Sequence, residues 1–279
     1  MALLKINEDL CTLCGTCIET CPSHIIFNQD DSIQTRDEEH CIVCGHCVAV
    51  CPEGAMAHCE MNTEEFLPLD KSKQVSPETL THFLRSRRSC RNYSQEPVPR
   101  ALLEKLVDIG RFAPTAHNWQ HVDVIVVEKP EMVKKLSTIC SEFFGKNAQA
   151  MEASKEPIDE HTQDLLRGFK LIHQFHLEGK DRIFRGAPVV ILLHGPEENN
   201  YARDNCLYTL FHMVMMAQSL GLGSCINGYF PGAAEWVPEL PELLRVKKGN
   251  KIFGCLTIGY PEYSFEKLTS RKPASVSWM

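Results

Sequence analysis

Several common features are missing from this 279-residue chain. No apolar run is long and clean enough to span a bilayer. The longest, around Leu207 to Leu222, is broken by His212 and Gln218 and fits a buried helix. The opening stretch, Met1 to Leu10, carries Lys5, Glu8 and Asp9 among its apolar residues, against a secretory leader. No basic stripe with interleaved aromatics occurs, so a nucleic-acid partner is not expected. The glycine-rich GLGSC at 221–225 lacks the spacing and acidic partner of a dinucleotide-binding turn. Membrane, secretion and nucleic acid are thus set aside as expectations.

Cysteine, by contrast, is plentiful: 14 residues, crowded toward the start. CTLCGTCIETCP ends at Pro22 and CIVCGHCVAVCP ends at Pro52, and the two copies lie thirty residues apart. Each is a C-x-x-C-x-x-C-x-x-x-C-P run, resembling the pattern by which bacterial ferredoxins hold iron–sulfur clusters. In that pattern the fourth cysteine of each run ligates the other cluster. One cluster is then expected on Cys11, Cys14, Cys17 and Cys51, and a second on Cys41, Cys44, Cys47 and Cys21. Zinc sites usually present two separated pairs rather than triplets, and suit the pattern poorly. Cys59 lies past the motif and reads as a non-ligand. Cys90, Cys140, Cys206, Cys225 and Cys255 are scattered and read as buried free thiols. Free thiols beside cluster ligands imply a reducing compartment, so cytoplasmic localisation is expected.

Length and cysteine distribution predict two domains. Residues 1–60 form the repeat, 61–75 a linker, and 76–279 a larger domain. Residues 1–60 carry Lys5 and Arg36 against ten acidic side chains, which leaves the remainder near neutrality. Such a face either steers a basic redox partner or simply keeps the module soluble. Within the repeat, short strands and helical turns alternate, and Ile25, Ile26, Phe27, Ile33, Ala55 and Met56 supply apolar cover.

Ser76-Pro77-Glu78 predicts a helix start, with Leu80, Phe83 and Leu84 on one face. A second helix follows Pro99, and HVDVIVVE (121–128) reads as a strand. Residues 131–140 read as a helix, and 141–180 as polar and helix-prone, holding His161, His173 and His176. GAPVVILLH (186–194) reads as a central strand covered on both faces. Tyr201 to Leu220 is apolar almost all round and is expected to be buried. A glycine-rich turn GLGSCINGYF, a helix over about 238–246 and the strand KIFGCLTIGY follow. The fold class is α+β or mixed α/β: a two-cluster ferredoxin-like domain plus a layered α-β-α domain.

SRRSCRNY places Arg87, Arg88, Ser89 and Arg91 just past a helix. Guanidinium forks plus a hydroxyl suit a phosphate monoester, although arginine clusters are more often solvated surface. Asn118 and Gln120 offer amides to a planar heteroaromatic edge, or cap turns. GLGSCINGYF lets backbone N–H groups approach a ligand, or serves as a helix C-cap and turn. Arg271 is either a second phosphate clamp or part of a basic tail.

In that order, these motifs resemble the nitroreductase family of FMN-dependent oxidoreductases, particularly members fused to a two-cluster ferredoxin module. The resemblance spans residues 76–273. It implies that Arg87, Arg88, Ser89 and Arg91 hold the phosphate and ribityl chain of FMN, and that Arg271 joins them. It implies that the loop of Pro114, Thr115, Asn118 and Gln120 reaches the flavin bound mainly by the other subunit of a homodimer. Gly223, Ile226, Asn227 and Gly228 match the segment whose backbone amides face the reactive flavin nitrogen. Asn227 stands where many members carry Glu. His121-Val122 replaces a Pro-aromatic pair, and Thr115-Ala116 a serine pair. The implied function is cluster-to-FMN electron relay for reduction of a small organic acceptor: a nitroaromatic, a quinone or an activated alkene. Ferredoxin and NAD(P)H remain alternative electron donors; in the NAD(P)H reading the clusters serve as an outlet. A non-catalytic redox carrier or sensing module is a third reading. No catalytic residue is singled out, since His173, His176 and Tyr229 are each as readily structural.

Overall fold

The computed structural model describes residues 2–154 and 159–279. The chain divides into two compact units: Met1–Ser76 with His117–Trp119, and Pro77–Ala116 with Gln120–Met279.

The first unit is built twice over. Strand β1 (Leu4–Ile6) leads to helix α1 (Thr16–Thr20), then β2 (Ile26–Gln29), β3 (Ser32–Thr35), α2 (His46–Val50) and β4 (Met56–His58). β1 pairs antiparallel with β4, and β2 with β3. The thirty-residue repeat is visible in the backbone. Leu13 and Val43 take φ of 56° and 51°, and Gly15 and Gly45 take 74° and 71°. Each cysteine triplet thus turns through left-handed residues before its short helix, the conformation glycine adopts at least cost. Leu4, Ile25, Ile26, Ile33 and Met56 form the core with Cys17 and Cys47. The stretch 61–75, expected as a linker, belongs to this unit. It forms two 3₁₀ turns, Thr63–Glu65 and Lys71–Lys73. The side chains of Asn62 and Asp70 cap them by accepting from Glu64 and Ser72 N–H.

The second unit is a three-layer α-β-α sandwich. Its helices are α3 (Pro77–Ser86), α4 (Arg100–Gly110), α5 (Pro130–Ala153), α6 (Glu160–Leu177), α7 (Ala202–Ser219), α8 (Tyr229–Ala234) and α9 (Glu239–Leu243). Its strands are β5 (Asp123–Val127), β6 (Val189–Pro196), β7 (Gly223–Ile226) and β8 (Asn250–Gly259). The sheet order is β5-β6-β8-β7, every pair antiparallel. β6 is central, as its unbroken apolar run requires, and alternation divides its side chains between two cores. Val190 and Leu192 meet α5, α6, α8 and α9 through Leu136, Phe144, Ile172, Phe230 and Leu240. Val189, Ile191 and Leu193 meet α4 and α7 through Leu103, Leu106, Leu210, Met213 and Ala217.

Three expectations change. α7 is not buried all round: Tyr201, Tyr208 and Phe211 are 49%, 51% and 46% exposed. α3 has the expected apolar face, but Leu80 and Leu84 on it are also exposed. An apolar stripe in sequence says that a face seeks cover, not what supplies it. GLGSCINGYF is only in part a turn. Gly221 (φ 73°) closes α7 and Gly223–Ile226 then continues as edge strand β7. The helix expected over 131–140 runs on to Ala153, and residues 155–158 of the helix-prone stretch lie outside the described residues. No helix among the described residues is long and apolar enough to cross a membrane.

Candidate functional site

In the first unit the eight motif cysteines line two separate cavities. Cys11, Cys14, Cys17 and Cys51 surround one. Cys21, Cys41, Cys44 and Cys47 surround the other. The grouping is the crossed one, because α1 and α2 pack together and carry Cys21 and Cys51 across to the opposite loop. Among the described residues no three His, Cys, Asp or Glu side chains converge as one metal ion would need. The thiols ring an open space instead, which suits a polynuclear cluster with thiolate at each corner. Burial pushes the Cys17 and Cys41 thiols up and Cys47 up to about 11. The Thr16 hydroxyl, 3.4 Å from Cys14 Sγ, holds that exposed thiol lower. Cys59 lines neither cavity and its thiol donates to the Ala2 carbonyl at 3.2 Å.

In the second unit the arginine segment is laid along the sheet edge. Cys90 N–H donates to the Ser224 carbonyl (2.8 Å), and Ser94 N–H to that of Tyr260 (2.9 Å). Buried Tyr93 anchors it, its hydroxyl 2.7 Å from Thr257 Oγ1. Arg87, Arg88, Ser89 and Arg91 thereby come to line one pocket of about 410 Å³ with Gln218, Gly223, Ser224 and Phe265. That volume is of the order of small-molecule and cofactor sites. Gln218 on α7 fixes the end of α3 by donating to the Phe83 carbonyl and Ser86 Oγ at 2.7 and 2.9 Å. Two polar atoms of the pocket-lining residues, Arg88 Nε and Gln218 Oε1, are buried without a partner. Buried polar groups left unpaired are costly, so their presence beside three guanidinium groups and a serine hydroxyl fits a phosphate-bearing ligand.

The remaining predicted residues lie elsewhere in the single chain. Thr115 and Gln120 line a different cavity with Val107, Arg111 and Thr209. Pro114 precedes them in that loop. Asn118 goes with the first unit, its amide donating to the carbonyls of Ile42 and Val43 at 3.0 and 2.8 Å. Asn227 is buried, donating to the Ile183 carbonyl at 2.6 Å and accepting from Phe230 N–H at 3.1 Å. Gly228 caps α8. Arg271 is exposed and donates to Thr269 Oγ1 and the Ser270 carbonyl of its own segment.

Sequence reasoning missed the loop that Asn227 holds. Asp181 accepts from Ser137 Oγ and from the N–H groups of Ile183, Phe184 and Gly186. It also missed His58, which lines the second cysteine cavity with Nε2 3.6 Å from Cys41 Sγ. Its signal was present but weak: a histidine closing the last strand of the repeat. His173 packs its ring against Gly145, and Tyr229 meets Phe144 edge-on, so both are held in structural contacts.

A model of the nitroreductase family matches residues 84–260, and a model of the 4Fe-4S dicluster domain matches residues 3–75. Over 34 residues the chain is 53% identical to a protein of Methanosarcina thermophila named "Probable ferredoxin", covering 12% of this chain and 59% of that one. Over 178 residues it is 29% identical to the FMN reductase (NAD(P)H) of Bacillus subtilis, covering 64% of each. The chain therefore spans about three fifths of the length of these two relatives. The crystal structure of a nitroreductase with bound FMN from Bacteroides fragilis superposes with a TM-score of 0.58 at 22% identity, covering 72% of this chain and 98% of that one. At that identity the likeness speaks for the fold.

Proposed function

The chain belongs to the nitroreductase family, and from that premise we propose that it is an FMN-dependent oxidoreductase fed by two 4Fe–4S clusters. The observation that carries this reading is the coexistence, in one chain, of an arginine-lined pocket and two cavities each ringed by four cysteines. When bound, the clusters supply single electrons and FMN turns them into two-electron reduction of an organic acceptor. Nitroaromatics, quinones and activated alkenes are the candidate acceptors.

Arg87, Arg88 and Ser89 would hold the phosphate, with Arg91 toward the ribityl chain and Arg271 folding in from the tail. The Gly223 backbone edges the same pocket, and Asn227 with Gly228 shapes the segment beyond it. Pro114, Thr115, Asn118 and Gln120 line no part of the arginine pocket in their own chain. That supports their serving the flavin of a partner subunit in a homodimer. The uncovered apolar side chains Tyr208 and Phe211 on α7, and Leu80 and Leu84 on α3, support a second copy as well. The free thiols and cluster ligands favour the reducing cytoplasm.

Reduced ferredoxin is the donor this reading prefers, because fusion in one chain raises the effective concentration of the clusters for the flavin. The likeness to a relative named for NAD(P)H favours that donor as a second reading. Replacing Cys44 by Ala is expected to remove one cluster, leave FMN bound and slow ferredoxin-driven reduction of a nitroaromatic at least tenfold. Unchanged turnover in a protein shown to lack that cluster would overturn the relay.

A further inference from the structure

The two cysteine runs repeat closely, but their surroundings do not. His58 ends β4 opposite Leu4 and is only 3% exposed. Its Nδ1 accepts from Glu60 N–H at 3.2 Å. A ring nitrogen that accepts carries no proton, so the neutral imidazole bears its hydrogen on Nε2. That nitrogen lies 3.6 Å from Cys41 Sγ. Thirty residues earlier the repeat has Asn28, exposed on β2. The cavity of Cys11, Cys14, Cys17 and Cys51 is lined by Ile33, Ala55 and Met56 and has no imidazole. Its sulfurs are met by Ala55 N–H, 3.2 Å from Cys51, and by the Thr16 hydroxyl beside exposed Cys14.

We infer that His58 is a potential-setting residue for one cluster only, the one held by Cys21, Cys41, Cys44 and Cys47. Reducing a cluster adds negative charge that spreads onto its ligand sulfurs. A donor aimed at one of those sulfurs stabilises the reduced form more than the oxidised form, and so raises the reduction potential. Burial strengthens the effect, since the N–H acts where water does not compete. His58 therefore makes two clusters of near-identical sequence unequal, and raises the electron affinity of the Cys41 cluster above what its thiolates alone would give. The inference rests on the reading that both cavities hold 4Fe–4S clusters.

The test is an anaerobic redox titration of the full, cluster-loaded chain, followed by electron paramagnetic resonance, for wild type, His58→Leu and His58→Gln. In His58→Leu one cluster potential is expected to fall while the other stays at its wild-type value. His58→Gln, which keeps an N–H donor, is expected to recover most of the difference. Both potentials unchanged, or both shifted together, would overturn the inference. Should His58→Leu not load its clusters, a His46→Thr protein with nitrogen-15 histidine decides, because His46 lines the same cavity and would give a histidine signal of its own. A hyperfine coupling from an imidazole nitrogen to one reduced cluster is expected, and its absence contradicts the hydrogen bond. Iron and sulfide analysis is run alongside. Content short of two full clusters would fail the cofactor reading, whereas full loading with unmoved potentials would fail only the role of His58.

Discussion

The side-chain amide of Asn227 is bonded through both its nitrogen and its oxygen. It donates to the Ile183 carbonyl at 2.6 Å and accepts from Phe230 N–H at 3.1 Å, in a buried site. Asn227→Ala removes two hydrogen bonds and leaves a buried carbonyl and a buried N–H unpaired, at about 1–3 kcal/mol per orphaned group. We expect a loss of about 2–4 kcal/mol. For a domain of this size that is roughly 4–16 °C in Tm, followed by far-UV circular dichroism. Asn227→Asp is the sharper test, because its shape is nearly conserved. An ionised carboxylate there would face the Ile183 carbonyl oxygen, and burial would raise its pKa well above about 3.9. Protonated, it donates to Ile183 and mimics Asn. A raised folded-state pKa means that the native state binds more protons than the unfolded one. Stability is then present at low pH and lost as pH climbs from the unfolded value through the raised one. The deficit of Asn227→Asp against wild type should therefore widen from pH 5 to pH 8. A deficit that is flat with pH, or an Asn227→Ala shift under about 2 °C, would refute this account of the loop.

Gly15 and Gly45 share a left-handed φ, but an added Cβ at Gly15 meets open space, whereas at Gly45 it meets Met61 Cε at 2.9 Å and Phe66 Cζ at 3.0 Å. Both alanine variants carry backbone strain of about 1–2 kcal/mol. Gly45→Ala should lose cluster absorbance faster on mild heating; equal rates would contradict the packing of 61–75 over that loop. Arg87→Gln should weaken FMN binding about tenfold or more, from loss of a charge-assisted contact, with fluorescence titration of apoprotein as the readout. His194 is buried between Asn250 and Asp123, and burial first, then Lys247, holds its pKa below the ordinary value, against the pull of Asp123. The unfolded chain takes up that proton near pH 6.5 and the native one resists it, so stability should decline as pH falls below about 6.5. His194→Asn should flatten that slope in thermal melts between pH 7 and pH 5.5.

What was legible in the sequence follows from how tightly chemistry constrains residue type. The cysteine runs keep fixed offsets, so the grouping of their thiols around two cavities could be read before any fold. The central strand was legible because Val189–Leu193 has no polar residue to place in water. The arginine segment was legible only as one of several weak signals, since guanidinium groups are common at surfaces. It took the bonding of Cys90 and Ser94 to the β7 and β8 edge to bring it into a pocket. Asp181 was not legible and His58 only weakly so, because a lone acid and a lone histidine act through partners 44 and 17 residues away along the chain. The uncovered faces of α3 and α7 were legible as apolar but not as exposed.

The most direct test of the account follows the flavin in the purified, cluster-replete protein under anaerobic conditions. One sample receives a reduced low-potential ferredoxin and a parallel sample NADH or NADPH, and flavin absorbance is recorded in both. The account predicts rapid bleaching with ferredoxin, lost when Cys44 is replaced, and slow or no bleaching with the nicotinamide. Rapid bleaching by NADH or NADPH, with ferredoxin ineffective, would contradict it and make the flavin the inlet and the clusters the outlet.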